Sequence, residues 1–210
     1  MMAVMEVTVR PAQRDDHADA LLYESAQPYY DAYAGGERRA RALLRGVWPR
    51  RAHAASYEVC RVAELNGTVV GVLAGFPVAN ADPLARRFVT LTLPRIPPWR
   101  WRRLFRHLSA ASAVSPHPPP SAYYVDALAV DQAWRRRGVA RALLAEAERL
   151  AAEAGSTGVA LDTGIANTPA RALYEGFGFE QRELRRAPDD RAAAAIGGPG
   201  FIGYFKPLAR

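Results

Sequence analysis

The stretch AYYVDALAVDQAWRRRGVARALLAEAERLAAEAG, residues 122–155, changes character twice. An apolar, aromatic-rich run typical of a strand leads into three consecutive arginines and Gly138, and an alanine- and leucine-rich helix follows, from about residue 138 to 154. A helix start exposes unpaired N–H groups and the positive end of the helix dipole, and arginines add charge-assisted donors. The turn therefore suits an anion such as a diphosphate. Taken alone, these residues fit an ordinary solvated loop equally well.

The pattern on both sides of this segment predicts an α/β fold. The Asn66-Gly67 pair between two β-rich runs indicates a hairpin, and the strand, helix, strand order over residues 123–163 indicates one parallel pair of strands. We expect a mixed, mostly antiparallel sheet of about seven strands with helices on both faces. The predicted strands and helices follow the order βααββ, an insertion, then βαβαββ, with the first strand over residues 4–10 and the last over 200–208.

Residues 77–121 form a proline-rich insertion between the third and fourth predicted strands of what we interpret as a single domain, residues 1–210. Within the insertion, Trp101, Leu104, Phe105 and Leu108 share the spacing of one helix face, and arginines occupy the other sides. Three interpretations stay open. The helix covers the body of the protein, forms a lid or wall of a substrate site, or is a basic amphipathic helix for membranes or acidic partners.

Composition narrows the classes of partner. Lys plus Arg number 28 against 21 Asp plus Glu, a formal charge of +7 that permits an anionic partner. Cys60 is the only cysteine, and the four histidines lack metal-ligand spacing, so we expect neither a disulfide nor a metal. No run approaches about 18 apolar residues and the start lacks a signal-peptide pattern, so we expect a cytoplasmic location without stable membrane insertion. A homodimer is compatible with the sequence.

Two motifs in order resemble the GNAT-type N-acetyltransferase superfamily. The first, R/Q-x-x-G-x-G/A after a central strand, is matched by residues 135–140, RRRGVA. The second, N-x-x-A-x-x-L-Y followed by GF, is matched by residues 167–174 and by Gly178-Phe179. The resemblance implies a GNAT-like sheet whose parallel pair splays at the cofactor site, and acetyl-CoA or another acyl-CoA as cosubstrate.

The resemblance also implies which residues hold the cofactor. The diphosphate would lie on the amides of the arginine turn, and the pantetheine would pair with the fourth strand like an added strand. The residues implied are Leu128, Ala129, Val130, Arg135, Arg136, Arg137, Gly138, Val139, Ala140, Arg141 and Asn167. For Asn167, capping of the following helix is an alternative role.

The family pattern places a general acid at Tyr174, since a phenol keeps its proton at neutral pH and can protonate the departing thiolate. Packing beside Phe177 and Phe179 would explain this tyrosine as well. An amine acceptor must lose a proton, and Asp126 is the best candidate base, because it shares side-chain parity with Leu128 and Val130. A purely structural role for Asp126 is equally compatible, and Glu64 is a weaker candidate base.

The acceptor pocket of the superfamily is built from the first helices and the last hairpin. Here these contribute Tyr29, Tyr30 and Tyr33 as substrate-binding candidates, with Trp48, Phe201 and Tyr204 nearby in the predicted fold, although core packing explains most of them. The leading hypothesis is acetylation of a primary amine of a small molecule by direct transfer in a ternary complex. Acetylation of a protein or peptide amine and a non-catalytic acyl-CoA sensor are alternatives. Nucleic acid is not an expected partner, since the order of strands and loops gives no nucleic-acid-binding motif.

Overall fold

A computed structural model describes residues 7–209, so residues 4–6 of the first predicted strand lie outside it. The strands are β1 (Thr8–Pro11), β2 (Cys60–Leu65), β3 (Thr68–Pro77), β4 (Tyr123–Val130), β5 (Gly158–Gly164), β6 (Glu180–Arg186) and β7 (Gly200–Pro207). The helices are α1 (Asp19–Ser25), α2 (Gln27–Ala34), α3 (Glu37–Val47), α4 (Ala81–Thr92), α5 (Trp101–Val114), α6 (Val139–Glu153), α7 (Thr168–Glu175) and α8 (Asp190–Ile196).

The strands form one open sheet in the order β1-β2-β3-β4-β5-β7-β6. Its hydrogen-bonded neighbours are antiparallel except β4 and β5, which are parallel and are joined through α6. The β2–β3 hairpin turns through Asn66 and Gly67, both with positive φ (50° and 77°), as the sequence predicts for a tight two-residue turn. The predicted mixed sheet of seven strands with one parallel pair is confirmed.

Two apolar cores lie on opposite faces of the sheet. One is formed by side chains of α1 to α5 against Val62, Val72 and Ala127. The other is formed by α6 and α7 against Leu73, Val125 and neighbouring side chains. Helices therefore cover both faces, and the active-site candidates on β4 lie between the two cores.

Three helices depart from the sequence-based expectation. The first predicted helical region is divided at Ala26 (φ −147°, ψ 46°), so α1 and α2 are separate helices, with Pro28 in the first turn of α2. The insertion contains α4 in addition to the predicted α5, and α8 occupies the segment expected to be a glycine-rich turn. The order within residues 7–209 is therefore βαααββ, two inserted helices, then βαβαβαβ.

The inner face of α5 also differs from the predicted one. Leu104 is buried, but Trp101 and Phe105 are 37% and 51% exposed. The buried positions instead include His107 and Ala111. The face of α5 that packs on the protein is therefore rotated about the helix axis relative to the predicted face. Helix α5 packs on α2 and α8, so the insertion is a cover over that side of the body.

Candidate active site

The parallel strands β4 and β5 separate halfway along their length. Their pairing is confined to residues 123–125 of β4 and 159–161 of β5, although β4 continues to Val130 and β5 to Gly164. Beyond Val125, β4 remains paired with β3 only. The fork leaves one edge of β4 without a neighbouring strand, and such an edge offers backbone N–H and C=O groups to a ligand.

Asp126 lies at the base of the fork, in a β-bulge. Val125 is paired with Gly75 and Ala127 with Ala74, so Asp126 is the extra residue of β4. The predicted shared side-chain direction of Asp126, Leu128 and Val130 is therefore wrong, because a bulge shifts the two-residue alternation.

The bulge turns Asp126 towards the side of the sheet occupied by α2. On that side, burial raises the pKa of Tyr29, Tyr30 and Cys60. The negative charge of Asp126 raises the pKa of each of them further. Leu128 and Val130 pack with the opposite core. Asp126 is thus directed towards the predicted acceptor side, while the strand that follows it is free to contact a cofactor.

The Asp126 carboxylate has the properties of a general base near neutral pH. Its side chain reaches solvent, yet the surrounding protein removes much of the water from the carboxylate. This desolvation, together with the negative charge of Asp162, raises the pKa of Asp126 to about 7. A carboxylate with such a pKa can accept a proton from an amine at neutral pH.

Two residues of the fork, Asp162 and Tyr124, were not among the site candidates predicted from the sequence. The Tyr124 hydroxyl donates a hydrogen bond of 2.5 Å to Asp162 Oδ2, and burial raises the pKa of Asp162. Asp162 interrupts the apolar run GVAL of β5, which is a signal that the sequence carries. Its closeness to Asp126 follows only from the parallel register of the two strands.

Tyr174, on α7, is almost fully buried at 6% exposure, with the rings of Phe179 and Tyr204 at 6.0 and 5.8 Å. Burial, followed by the charge of Asp162, raises its pKa. Within residues 7–209 the Tyr174 hydroxyl forms no hydrogen bond to a protein group. The phenol therefore keeps its proton at neutral pH, and within the described residues that proton is not committed to a structural partner.

The arginine turn forms an open cradle of backbone N–H groups at the start of α6. Gly138 is the N-cap in left-handed conformation (φ 84°), and Arg136 also has positive φ (63°). The hydrogen bond from Ala142 N–H to Gly138 O begins the helix, which leaves the N–H groups of Val139, Ala140 and Arg141 without a helical acceptor. A Cβ at Gly138 would meet no atom within 4 Å. Free donors and open space fit a diphosphate.

The arginine side chains of the turn differ in availability. Arg135 Nε donates to Val130 O (3.0 Å), and Arg141 Nη2 donates to Gly176 O (2.9 Å), so both contribute to the local structure. Arg137 lies over the Trp134 ring at 5.0 Å. Arg136 is exposed and has no ion pair within residues 7–209, which leaves it the freest of the four. We expect the backbone to supply most of the anion contacts and Arg136 to supply charge.

Asn167 is the N-cap of α7, the alternative role that the sequence left open. Its Oδ1 accepts from Ala170 N–H (3.3 Å), and its Nδ2 donates to Thr163 Oγ1 (3.1 Å). These bonds tie the start of α7 to the end of β5. A contact to the pantetheine arm would have to share or replace one of them.

The three tyrosines of α2 divide between the site and the core. Tyr29 and Tyr30 are close enough to Asp126 for its charge to raise the pKa of each. Tyr33 is buried, and its hydroxyl lies 2.5 Å from Thr92 Oγ1 of the inserted helix α4. Tyr29 and Tyr30 therefore remain acceptor-site candidates, whereas Tyr33 serves to hold α4 against α2.

Within residues 7–209, the side chains of His, Cys, Asp and Glu form no group of three or more that could hold a metal ion. In the same range, no helix is both long and apolar enough to cross a membrane.

A family model described as the acetyltransferase (GNAT) family matches residues 18–179. The chain belongs to this family. The match spans both motifs on which the resemblance was based, and it confirms the predicted enzyme class, an acyl-CoA-dependent N-acyltransferase.

Solved structures agree with the fold. The N-acetyltransferase from Staphylococcus aureus Mu50 has a TM-score of 0.70 at 16% identity, with 95% of this chain and 100% of that chain covered. An agmatine N-acetyltransferase has a TM-score of 0.60 at 17% identity, covering 96% and 99%. In sequence, the uncharacterised protein ML0378 of Mycobacterium leprae (strain TN) is 46% identical over 69 residues. That match covers 33% of this chain and only 18% of the Mycobacterium leprae protein.

Proposed function

We propose that the chain transfers an acetyl group from acetyl-CoA to a primary amine of a small molecule, by direct attack in a ternary complex. The observation that carries the proposal is the fork, where β4 loses its pairing with β5 beyond Val125, at the Asp126 bulge, and where the charge of Asp162 acts on both Asp126 and the buried phenol of Tyr174. These elements supply a binding edge, a base and an acid for one transfer reaction.

In this proposal the cradle at the start of α6 holds the diphosphate, and the free edge of β4 holds the pantetheine arm. Bound acetyl-CoA supplies a thioester carbonyl as the electrophile. Backbone N–H groups at the fork stabilise negative charge on that carbonyl oxygen.

The protons follow a short path. Asp126 accepts the proton that the acceptor amine loses as its nitrogen forms the bond to the acyl carbon. Tyr174 donates its proton to the sulfur as the C–S bond breaks, which leaves CoA as a neutral thiol. Asp162 would act through Tyr124 and through its charge, as a positioning residue.

The insertion favours a small acceptor over a protein chain. Helix α5 packs against α2 and α8 and adds a further layer of helix on the face of the sheet that carries α1 to α5, while Asp126 itself stays open to solvent. An extended peptide would need an open groove along this side.

The test is release of CoA thiol from acetyl-CoA in the presence of a panel of small primary amines and of peptides with free amines. Cys60 is buried, so it will not react with the thiol reagent. Turnover with small amines supports the proposal. Turnover with peptides alone assigns a protein substrate, and binding of acetyl-CoA without turnover on either panel assigns a sensor.

A further inference from the structure

A cavity of about 860 Å³ lies between α2, α5 and α8. Its wall includes Asp31, Arg100, Arg103, Arg106, Asp189 and Arg191. The volume is within the range of small-molecule sites. Neither Asp126 nor Tyr174 lines it, and no residue of the arginine turn does, so the cavity is distinct from the fork and from the cofactor cradle.

The charges on the wall are unbalanced. Four guanidinium groups face two carboxylates, and both carboxylates already have hydrogen-bond donors. Asp31 Oδ1 accepts from the Tyr23 hydroxyl (3.0 Å), and Asp189 Oδ1 accepts from the N–H group of Ala192 (2.7 Å). Within residues 7–209, none of the four arginines forms an ion pair. An excess of uncommitted guanidinium groups in a concave site favours an anionic ligand.

Buried polar atoms on the same wall also lack partners. His107 is 2% exposed, and its Nδ1 lies 2.5 Å from Ala195 O, while its Nε2 has no hydrogen-bond partner. Arg100 Nε is likewise buried without a partner. Because His107 Nδ1 donates to a carbonyl, Nε2 of the neutral ring is an acceptor and does not bind an anion, so the preference for an anion rests on the four guanidinium groups.

One aromatic contact links the cavity wall to the acceptor side of the fork. The His107 ring on the cavity wall lies 4.6 Å from the ring of Tyr29, and Tyr29 in turn is close to Asp126. A molecule with one end in the cavity and the other beside Tyr29 would place that second end near the candidate base.

We propose that the cavity binds an anionic group, a carboxylate or a phosphate, carried by the acceptor molecule whose amine reacts at the fork. The acceptor is then an amine that also bears an acid. This inference rests on the proposed acetyl transfer, since it names the substrate class of the same reaction. Three of the four arginines, Arg100, Arg103 and Arg106, lie in the insertion, the last two within α5, so the specificity is a property of this chain's own insertion.

Matched acceptor pairs test the substrate class. O-phosphoethanolamine and β-alanine carry an acid, whereas ethanolamine and propylamine of similar length do not. We expect kcat/KM in the thiol-release assay to be at least about tenfold higher for the acidic members, because a charge-assisted bidentate contact is strong in a partly enclosed site. Equal values for acidic and neutral members would overturn the proposal.

Substitutions in α5 test whether the cavity arginines cause the preference for acidic acceptors. Arg103→Gln and Arg106→Gln each remove a guanidinium from the cavity wall, and we expect each to raise KM for the acidic acceptors by about tenfold with little change for the neutral ones. Arg102→Gln is the matched control, since Arg102 is exposed on the same helix and does not line the cavity. An equal loss in the control would show a general charge effect and contradict the proposal.

A binding measurement separates this proposal from the proposed reaction. The protein is first saturated with CoA, which fills the diphosphate cradle, and O-phosphoethanolamine or ethanolamine is then titrated by calorimetry. Binding of O-phosphoethanolamine that weakens in Arg103→Gln but not in Arg102→Gln supports the cavity even if no amine is acetylated. Acetylation of neutral amines without any binding of the acidic probes would leave the reaction in place and refute the cavity.

Discussion

Replacing Tyr174 with phenylalanine removes one proton from the fork while preserving the packing around it. The side chain is 6% exposed and packs on Phe179 and Tyr204 through its ring. Because its hydroxyl has no hydrogen bond to a group in residues 7–209, we expect the free energy of unfolding to change by less than about 1 kcal/mol. The variant therefore isolates the role of the proton.

The expected loss of rate follows from general acid catalysis, which contributes about 10²- to 10⁴-fold. That range corresponds to about 2.7–5.4 kcal/mol of transition-state free energy, at about 1.36 kcal/mol for each factor of ten. Since protonation of the thiolate occurs only as the C–S bond breaks, kcat and kcat/KM should fall by the same factor. The affinity for acetyl-CoA should not change.

The measurement is steady-state thiol release by the wild type and the variant, with a calorimetric titration of acetyl-CoA for each. Tyr204→Phe is the matched control, because it removes a neighbouring hydroxyl that donates to Glu175 Oε1 (2.9 Å) and is not assigned to the reaction. The control should lose about 0.5–1.5 kcal/mol of stability and keep its rate. A Tyr174→Phe enzyme with kcat within about threefold of the wild type would refute the role of Tyr174 as the acid.

Two further predictions concern the base and the insertion. Because the pKa of Asp126 is raised to about 7, its carboxylate is mostly protonated at lower pH, so kcat at saturating acceptor should rise with pH through about 7 and then level off. Asp126→Asn should remove that inflection, and an unchanged pH profile in the variant would argue against the assignment. Leu104→Ala, in the buried face of α5, should destabilise the protein by about 2–5 kcal/mol in chemical denaturation. Phe105→Ala on the exposed side should cost less than about 1 kcal/mol, and equal losses would show that α5 packs differently.

Most of the sheet was predictable because its signals are local. The Asn66-Gly67 turn determines the hairpin, and the strand, helix, strand order of β4, α6 and β5 requires a parallel pair. Helix α8 also has a local sequence signal, since Asp189 caps a run of alanines that is followed by Gly197 in left-handed conformation. Helix α4 was harder to predict because Pro83 lies in its first turn, where proline is tolerated but resembles a helix breaker.

The site was predictable only in part because it depends on pairing between distant strands. The cradle follows from adjacent residues around Gly138, and the structure has the expected open turn there. The direction of Asp126 depends on a bulge opposite Gly75, and the approach of Asp162 depends on the register between β4 and β5. Neither is encoded in a short window of sequence. The exposure of Trp101 likewise depends on which side of α5 meets α2 and α8.

The most direct test of the account is the binding of acetyl-CoA at the arginine turn. Calorimetric titration of the wild type is compared with Gly138→Asp and with Gly138→Asn, which has nearly the same shape and the same positive-φ demand but no charge. Since a Cβ at Gly138 would meet no atom within 4 Å, both variants should fold. We predict clear binding by the wild type, weaker binding by Gly138→Asn and at least about a further tenfold loss in Gly138→Asp, because a carboxylate repels the diphosphate. Wild-type affinity in both variants, or no binding of acetyl-CoA by the wild type, would contradict the cradle and the function proposed from it.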